Sequence, residues 1–488
     1  MSFALTFASV AVLALGGVHI PIDFLIIFGM SLFVCASILC SALSLGTDAH
    51  DPKENAWSAG SAHKKPIHLQ TPPKLDPVSK MRPDGDSITL DTSGLLGRDE
   101  IKTCQGLAAK AYADRVVLIS GAGGSIGSEL VRQVLACRPR KIVLYELNET
   151  ALYQIHQSML LAAAGTNIEI VPLLGSVADE HKVRRTLHAH QVQVVLHAAA
   201  YKHVPLVELN PLAGLSNNVL ATQTLVTEAV AAGVERFVLI SSDKAVRPIN
   251  VMGASKRLCE LIVQDIARRL EGKGGPVFAI VRFGNVLGSS GSVLPLFQDQ
   301  VRKGGPVTVT HPDVCRFFMT VQEAVNLVLH AGSLARGGEV FVLDMGRPVR
   351  IETLARQVIH SAGLSVRDAD NPTGDVEIKF IGLRCGEKMR EELTLNGRRS
   401  PTPHPRIFTA IEDGLSEFEV AAALRALRQA LADDDEADAR ANACRWVQGF
   451  GDLADGSARK TSRPFMRQDT KGLLVKTDHS SRVEAGRQ

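Results

Sequence analysis

"RVVLISGAGGSIG", Arg115–Gly127, runs a β-branched apolar stretch straight into three glycines, Gly121, Gly124 and Gly127. A strand that ends in such a turn and hands over to a helix lets backbone N–H groups approach a pyrophosphate at the helix N-terminus. On its own the triplet could be a glycine-rich turn of no function; its place between strand and helix favours dinucleotide binding. The next apolar run, "KIVLYE" (Lys141–Glu146), ends in a carboxylate. At that place a carboxylate accepts hydrogen bonds from the adenosine ribose hydroxyls and repels a 2′-phosphate, so NAD is expected over NADP.

Four more short runs follow: "IEIVPLLG" (Ile168–Gly175), "VQVVLHAAA" (Val192–Ala200), "RFVLISS" (Arg236–Ser242) and "VFAIVRFGN" (Val277–Asn285). Helical stretches separate them. Continuous apolar strands alternating with helices predict an α/β fold, a doubly wound parallel sheet covered on both faces.

The chain has 488 residues, with 54 Lys plus Arg against 51 Asp plus Glu. A net charge of +3 gives no reason to expect nucleic acid as a partner. The eight cysteines contain no C-x-x-C pair, so neither a metal site nor a disulfide framework is expected. The N-terminus reads differently. Residues 1–45 carry two apolar runs, Phe3–Ile20 and Phe24–Leu45, with Asp23 the only charge from Ser2 to Leu45. The second is long enough to cross a bilayer as a helix and the first could pair with it as a hairpin. Lys53, Lys64, Lys65 and the cations after them favour a cytoplasmic exit. Residues 46–93 read as a polar linker and 451–488 as a disordered tail.

Further stretches carry a family resemblance: "VVLHAAAYKHVPLVELNP" (Val194–Pro211), "SNNVLATQTL" (Ser216–Leu225), "SSDKAVRPINVMGASKRLCE" (Ser241–Glu260), "VRFGNVLGSSGSVLPLFQDQV" (Val281–Val301), "GGPVTVTHPDVCRFFMTVQEAVNLV" (Gly304–Val328) and "RCGEKMREEL" (Arg384–Leu393). They closely resemble the CapD-like nucleotide-sugar 4,6-dehydratases of the WbpM and PglF type, membrane-attached members of the extended short-chain dehydrogenase/reductase superfamily. The resemblance runs from about Gly94 to near Phe408. It implies a Rossmann-type NAD-binding part over about 114–283 and a smaller substrate-binding part mainly over 284–335 and 345–448, together a catalytic domain of 94–450.

The implied reaction is C5-retaining dehydration of UDP-N-acetylglucosamine or a similar UDP-sugar. Hydride leaves C4 for NAD, the 4-ketone acidifies the C5 proton, water leaves from C6, and hydride returns to C6. The product would feed a bacterial surface polysaccharide such as O-antigen or capsule, made by a homo-oligomer at the inner membrane with its catalytic domain in the cytoplasm.

By resemblance, Asp243 is the acid for the departing C6 hydroxyl and Lys244 the base at C5. Lys244 can be that base only when neutral, which burial or a neighbouring nicotinamide cation would favour. Without the resemblance the pair reads as a surface ion pair. Lys256 would bind the nicotinamide ribose. Four residues before it, where a tyrosine base is usual, stands Met252, as in other large membrane-attached members. A thioether cannot move a proton, so the C4 proton is left to Ser242, a bound water or Asp243, of which Asp243 is preferred, and Met252 would pack. The cofactor would touch Gly121, Gly124, Ser125, Ile126, Gly127, Glu146, Ala198, Ala199, Ala200 and Asn218. Lys202 and His203 would approach sugar or nicotinamide, with a buried, hydrogen-bonded role the competing reading of His203. Asn285, Arg316, Glu387 and Lys388 resemble nucleotide-binding positions, Arg316 suiting a diphosphate. Cys385 stands where the family usually has proline, and the apolar N-terminus is shorter than in the largest members.

Three alternatives stay open: a C5-inverting dehydratase, a C4 epimerase in which Asp243 and Lys244 would have no task, and a non-catalytic NAD-sensing membrane protein.

Overall fold

A computed structural model describes residues 107–450 together with Leu96. The expected membrane segments of 1–45, the linker of 46–93 and the tail of 451–488 lie outside the described residues. Among those described, no helix is long and apolar enough to cross a membrane.

The six expected strands are all present: β1 (Val116–Ser120), β2 (Lys141–Glu146), β3 (Glu169–Leu174), β4 (Val194–His197), β5 (Arg236–Ile240) and β6 (Val277–Arg282). Three more join them: β7 (Glu339–Leu343), β8 (Arg399–Pro401) and β9 (Ile407–Ala410). The order is β8-β9-β7-β6-β5-β4-β1-β2-β3. Pairing is parallel from β3 through to β7, while β9 runs antiparallel to β7 and to β8. The order reverses between β1 and β4, the topological switch point at which open α/β sheets bind ligands.

Burial explains which strands read clearly. Every residue of β1 is buried, as a strand covered on both faces requires. The edge strand β3 departs from that expectation: its residues alternate between half-buried and exposed, and Pro172 sits within it. Proline cannot donate to a ladder, and an edge is where a sheet tolerates it.

Two apolar layers flank the sheet. Helices Ser125–Ala136 and Val321–Leu334 contribute to one, whose core holds Val117, Ile119, Leu130, Val325 and Leu329. Helices Glu180–His190, Ala221–Ala231 and Val251–Leu270 build the other, with Leu118, Leu225, Phe237, Leu258 and Ile262 inside it. The Val251–Leu270 helix is buried along most of its length because Glu417–Ala432 and Glu436–Trp446 pack over it. A separate core forms where helices Val293–Arg302 and Ile351–Ser361 close on a parallel sheet of Val307–Val309, Val376–Phe380 and Val366–Arg367.

Candidate active site

The segments that leave the C-terminal ends of β1, β2, β4, β5 and β6 bring the candidate residues to one edge of the sheet. After β1 the chain turns at Gly121, φ +68°, a conformation other residues adopt at a cost. A Cβ on Gly121 would lie 2.7 Å from the Ala199 nitrogen, and one on Gly127 only 1.9 Å from the Gly121 carbonyl oxygen. Both glycines are therefore demanded by close backbone approach. Gly124 takes the N-cap position of the Ser125–Ala136 helix and offers no side-chain cap, so the first-turn N–H groups keep their capacity to bind an anion. Ser125 Oγ instead accepts from Ser290 N at 3.1 Å, tying the glycine turn to the loop after β6. Ile126 packs partly against the core beneath.

Glu146 closes this corner. Its Oε2 accepts from Gly123 N at 2.9 Å, and its Oε1 from Leu147 N and Asn148 N at 2.9 and 3.0 Å. The carboxylate is thus fixed beside the glycine turn, where an adenosine ribose would come. On the other side Ala198 N bonds to Ser120 O at 3.1 Å, and the half-buried Ala198 and Ala199 stand against Gly121, with Ala200 next in line. A helix start without a side-chain cap, a cradle with no room for Cβ atoms and a fixed acidic group together fit a dinucleotide such as NAD.

The loop after β4 is held by a buried amide. Asn218 accepts from Tyr201 N at 2.8 Å and donates to Tyr201 O at 3.0 Å and to Ser255 Oγ at 2.9 Å. It lies in a five-residue π-helical turn, Ser216–Leu220. Beyond it Lys202 and His203 are exposed, which removes the buried role considered for His203. Its imidazole stands instead against Gly291, where a Cβ would come within 2.4 Å of the ring.

Ser242, Asp243 and Lys244 follow β5. The Ser242 hydroxyl donates to Asp243 Oδ1 at 2.9 Å and accepts from Lys244 N, capping the short 3₁₀ turn Asp243–Ala245. Lys244 Nζ donates to Asp243 Oδ1 at 2.9 Å and to Asn285 Oδ1 at 3.0 Å. Asp243 is fully buried, and its second oxygen has no hydrogen-bond partner. Such an orphan is costly unless something else at the site uses it. Burial pulls Lys244 toward the neutral amine, but the Asp243 and Glu391 carboxylates outweigh it and hold the ammonium above the usual lysine range. Burial thus acts on Lys244 in the direction expected, and it is the two carboxylates that reverse its effect.

Lys256 is buried and donates to Ile240 O at 3.0 Å; burial lowers its pKa, with Cys259 and Glu260 opposing. Met252 is 3% exposed and shares an apolar cluster with Val251, Ala254 and Leu258.

Arg316, Glu387 and Lys388 come together, but as partners of the protein itself. Arg316 is 7% exposed and ion-paired with Glu387 at 3.0 Å, while Lys388 Nζ donates to Val246 O at 2.9 Å. A diphosphate would meet Arg316 with one carboxylate already bound. Cys385 is exposed beside them. Among the described residues no cluster of His, Cys, Asp or Glu could hold a metal ion.

Sequence reasoning gave no role to Glu391, which is buried with its Oε1 3.8 Å from Lys244 Nζ. Nor did it find the chain from Ser120 Oγ to His197 Nδ1 (2.7 Å) and from His197 Nε2 to Thr222 Oγ1 (3.0 Å). Burial first, and then Lys256, lowers the His197 pKa to about 3. A third cluster, Arg282 with Glu260, Glu412 and Arg257, is buried behind β5 and β6. Ser241 Oγ donates to Glu260 Oε1 at 2.6 Å, anchoring the residue two before Asp243. All of these except Glu412 lie inside the quoted motifs, which was the only sequence signal for them.

The chain is similar to several known proteins. The capsular polysaccharide biosynthesis protein CapD of Staphylococcus aureus is 46% identical over 304 residues, 62% of this chain and 49% of CapD. The chain thus spans about half the length of that relative. A UDP-glucose 4-epimerase of Rickettsia rickettsii is 33% identical over 284 residues, 58% of this chain and 78% of the epimerase. Among solved structures, Pen from Bacillus thuringiensis superposes with a TM-score of 0.55 at 29% identity, covering 62% of this chain and 92% of Pen. The family model described as "Polysaccharide biosynthesis protein" matches residues 117–412, from β1 to the carboxylate that pairs with Arg282, and the chain belongs to that family.

Proposed function

We propose that this chain is an NAD-dependent nucleotide-sugar 4,6-dehydratase acting on UDP-N-acetylglucosamine with retention at C5. The observation that carries it is the joined Asp243–Lys244 pair, 2.9 Å apart, at the end of β5 and on the same sheet edge as the glycine cradle. Dehydration needs a proton taken at C5 and a proton given at C6; an adjacent amine and carboxyl can do the one and the other. When bound, NAD supplies the acceptor and donor of hydride for C4 and C6.

Each residue's work follows from its place. Gly121, Gly124 and Gly127 admit the pyrophosphate, and Glu146 selects the unphosphorylated ribose. Lys256 meets the nicotinamide ribose. Asp243, with Ser242 donating to it, accepts the C4 hydroxyl proton and later gives one to the leaving C6 hydroxyl. Lys244, as the neutral amine, takes the C5 proton and returns a proton to C5 when hydride comes back to C6, so both groups end as they began. Arg316, held by Glu387, neutralises the diphosphate with Lys388. Lys202 and His203 line the mouth of the site. The apolar runs of 1–45 would attach the enzyme to the inner membrane with its catalytic domain in the cytoplasm.

The test is direct. The full-length protein with NAD and UDP-N-acetylglucosamine in deuterated solvent should give a 4-keto-6-deoxy product, with one solvent deuterium at C5 and C5 configuration retained by NMR. A C4 epimerase is the second candidate function, supported by the similarity to the Rickettsia UDP-glucose 4-epimerase. It would give the C4 epimer with no deuterium at C5, and that outcome would overturn the dehydratase.

A further inference from the structure

Glu391 is a buried carboxylate that no step above uses. It is 9% exposed, its Oε1 stands 3.8 Å from Lys244 Nζ, and its Oε2 is buried without a hydrogen-bond partner. Lys244 therefore faces three acceptors: Asp243 Oδ1 at 2.9 Å, Asn285 Oδ1 at 3.0 Å and Glu391. Two carboxylates share this one ammonium in a site that solvates charge poorly, and a proton on one carboxyl relieves their mutual repulsion.

We propose that Glu391 is a positioning residue that sets the protonation of Lys244: ionised, it completes the cradle that keeps the ammonium charged, and protonated, it lets the amine go. The role in catalysis rests on the dehydratase function proposed above.

Of the two carboxyls, Glu391 is the one suited to take the proton. Asp243 Oδ1 already accepts from the Ser242 hydroxyl and the Lys244 ammonium, whereas no hydrogen bond holds Glu391 in its ionised form. Burial raises the Glu391 pKa; Lys244 opposes this, Asp243 adds to it, and Arg316 and Lys388 oppose it, leaving a net rise. The proton comes from solvent to Glu391. Lys244, having lost one of its two counter-charges, releases its own proton to solvent and becomes the neutral amine that a C5 base must be. No bond other than N–H and O–H is made or broken.

Glu391→Gln copies the protonated state without changing shape. The experiment measures amine reactivity of Lys244 against pH in the full-length protein, by brief acetic anhydride labelling with peptide-resolved mass spectrometry. The expected result is a titration of Lys244 moved to lower pH, with labelling near neutrality raised about tenfold, one pKa unit's worth. Glu391→Asp, which keeps the charge, should return the titration toward the wild type. In the wild type itself the labelling curve should show a second, earlier inflection from Glu391, a readout that stands if the Gln variant fails to fold. The pH limb of C5 deuterium exchange should move with the titration. A merely structural role would lower exchange at every pH without moving the limb. An unshifted Lys244 titration in Glu391→Gln, or a single-step curve in the wild type, overturns the proposal. Because labelling needs no substrate, a shifted titration in a protein that makes no keto-sugar sinks the dehydratase function alone.

Discussion

The Ser255 hydroxyl donates to the Met252 carbonyl at 2.7 Å while accepting from the Asn218 amide, so the backbone of Met252 is tied through Asn218 to the loop after β4. The thioether itself points into apolar packing. Position 252 thus serves the fold by shape and anchorage, and in the proposed function the proton chemistry falls to the Ser242–Lys244 turn.

Met252→Leu should keep most of the dehydratase rate, since a volume-conserving apolar swap costs under ~1.5 kcal/mol. Asp243→Asn and Lys244→Ala should each lose ~10²-fold or more, the usual contribution of a general acid or base. Steady-state kcat for keto-sugar formation measures all three. A dead Met252→Leu beside an active Lys244→Ala would reverse the assignment.

Glu146→Arg should weaken NAD binding and strengthen NADP binding, because a cation would replace the carboxylate fixed beside the glycine turn. Fluorescence titration with both cofactors measures this. A wild type that already prefers NADP would refute the placement.

Acid should destabilise the fold in two overlapping windows. His197, with its pKa lowered to about 3, resists protonation when folded, whereas the unfolded chain takes the proton near the ordinary value of 6.5. The unfolded state therefore binds more protons between those values, and stability falls as pH drops from about 6.5 toward 3. Burial alone would raise Glu260, but the Arg282 and Arg257 guanidiniums pull it down to about 2 from 4.5. Its share of stability is present above 4.5 and is lost as pH falls toward 2. Each group contributes a slope of at most ~1.4 kcal/mol per pH unit inside its window. Urea unfolding at stepped pH should show the loss starting near pH 6.5, and His197→Asn, where it folds, should flatten the upper window.

Removal of residues 1–45 should release the protein from membranes without abolishing its activity, since every chemical motif lies beyond Gly94. Flotation with vesicles and a turnover assay on the same sample check the two halves. A well-folded truncation without activity would break the separation.

The central sheet was legible because its strands are short, apolar and punctuated by helices, and β2 runs Lys141–Glu146 in sequence and structure alike. Strands β7, β8 and β9 were not: "EVFVL" is an apolar run like the others but nothing in it says that it extends the sheet beyond β6, and β8 and β9 are only three and four residues long. The glycine cradle and the Asp243–Lys244 pair are local in sequence and could be read. Glu391 could not: it meets Lys244 across 147 positions, and "REEL" looks like any solvated helix face. Arg282, Glu260 and Glu412 share that difficulty, because a charged residue declares itself buried only when its distant counter-charge is known.

The Arg282 cluster also imposes an order on synthesis. Arg282 is wholly enclosed, with one carboxylate from Glu260 upstream and the other from Glu412, 130 residues downstream. A ribosome that has made β1 to β6 has made the nucleotide cradle and the Ser242–Lys244 turn, but has not yet supplied the second counter-ion for the guanidinium beside them. Until that carboxylate emerges, the interior carries a surplus positive charge, and the emerging chain should hold its catalytic edge loosely. Nascent chains stalled before Glu412 should be cut by protease within the Ser241–Leu270 region, and chains extended through residue 450 should resist. The emergence of Glu412, with residues 413–488 still to follow, would then be the step that firms the Ser242–Lys244 turn.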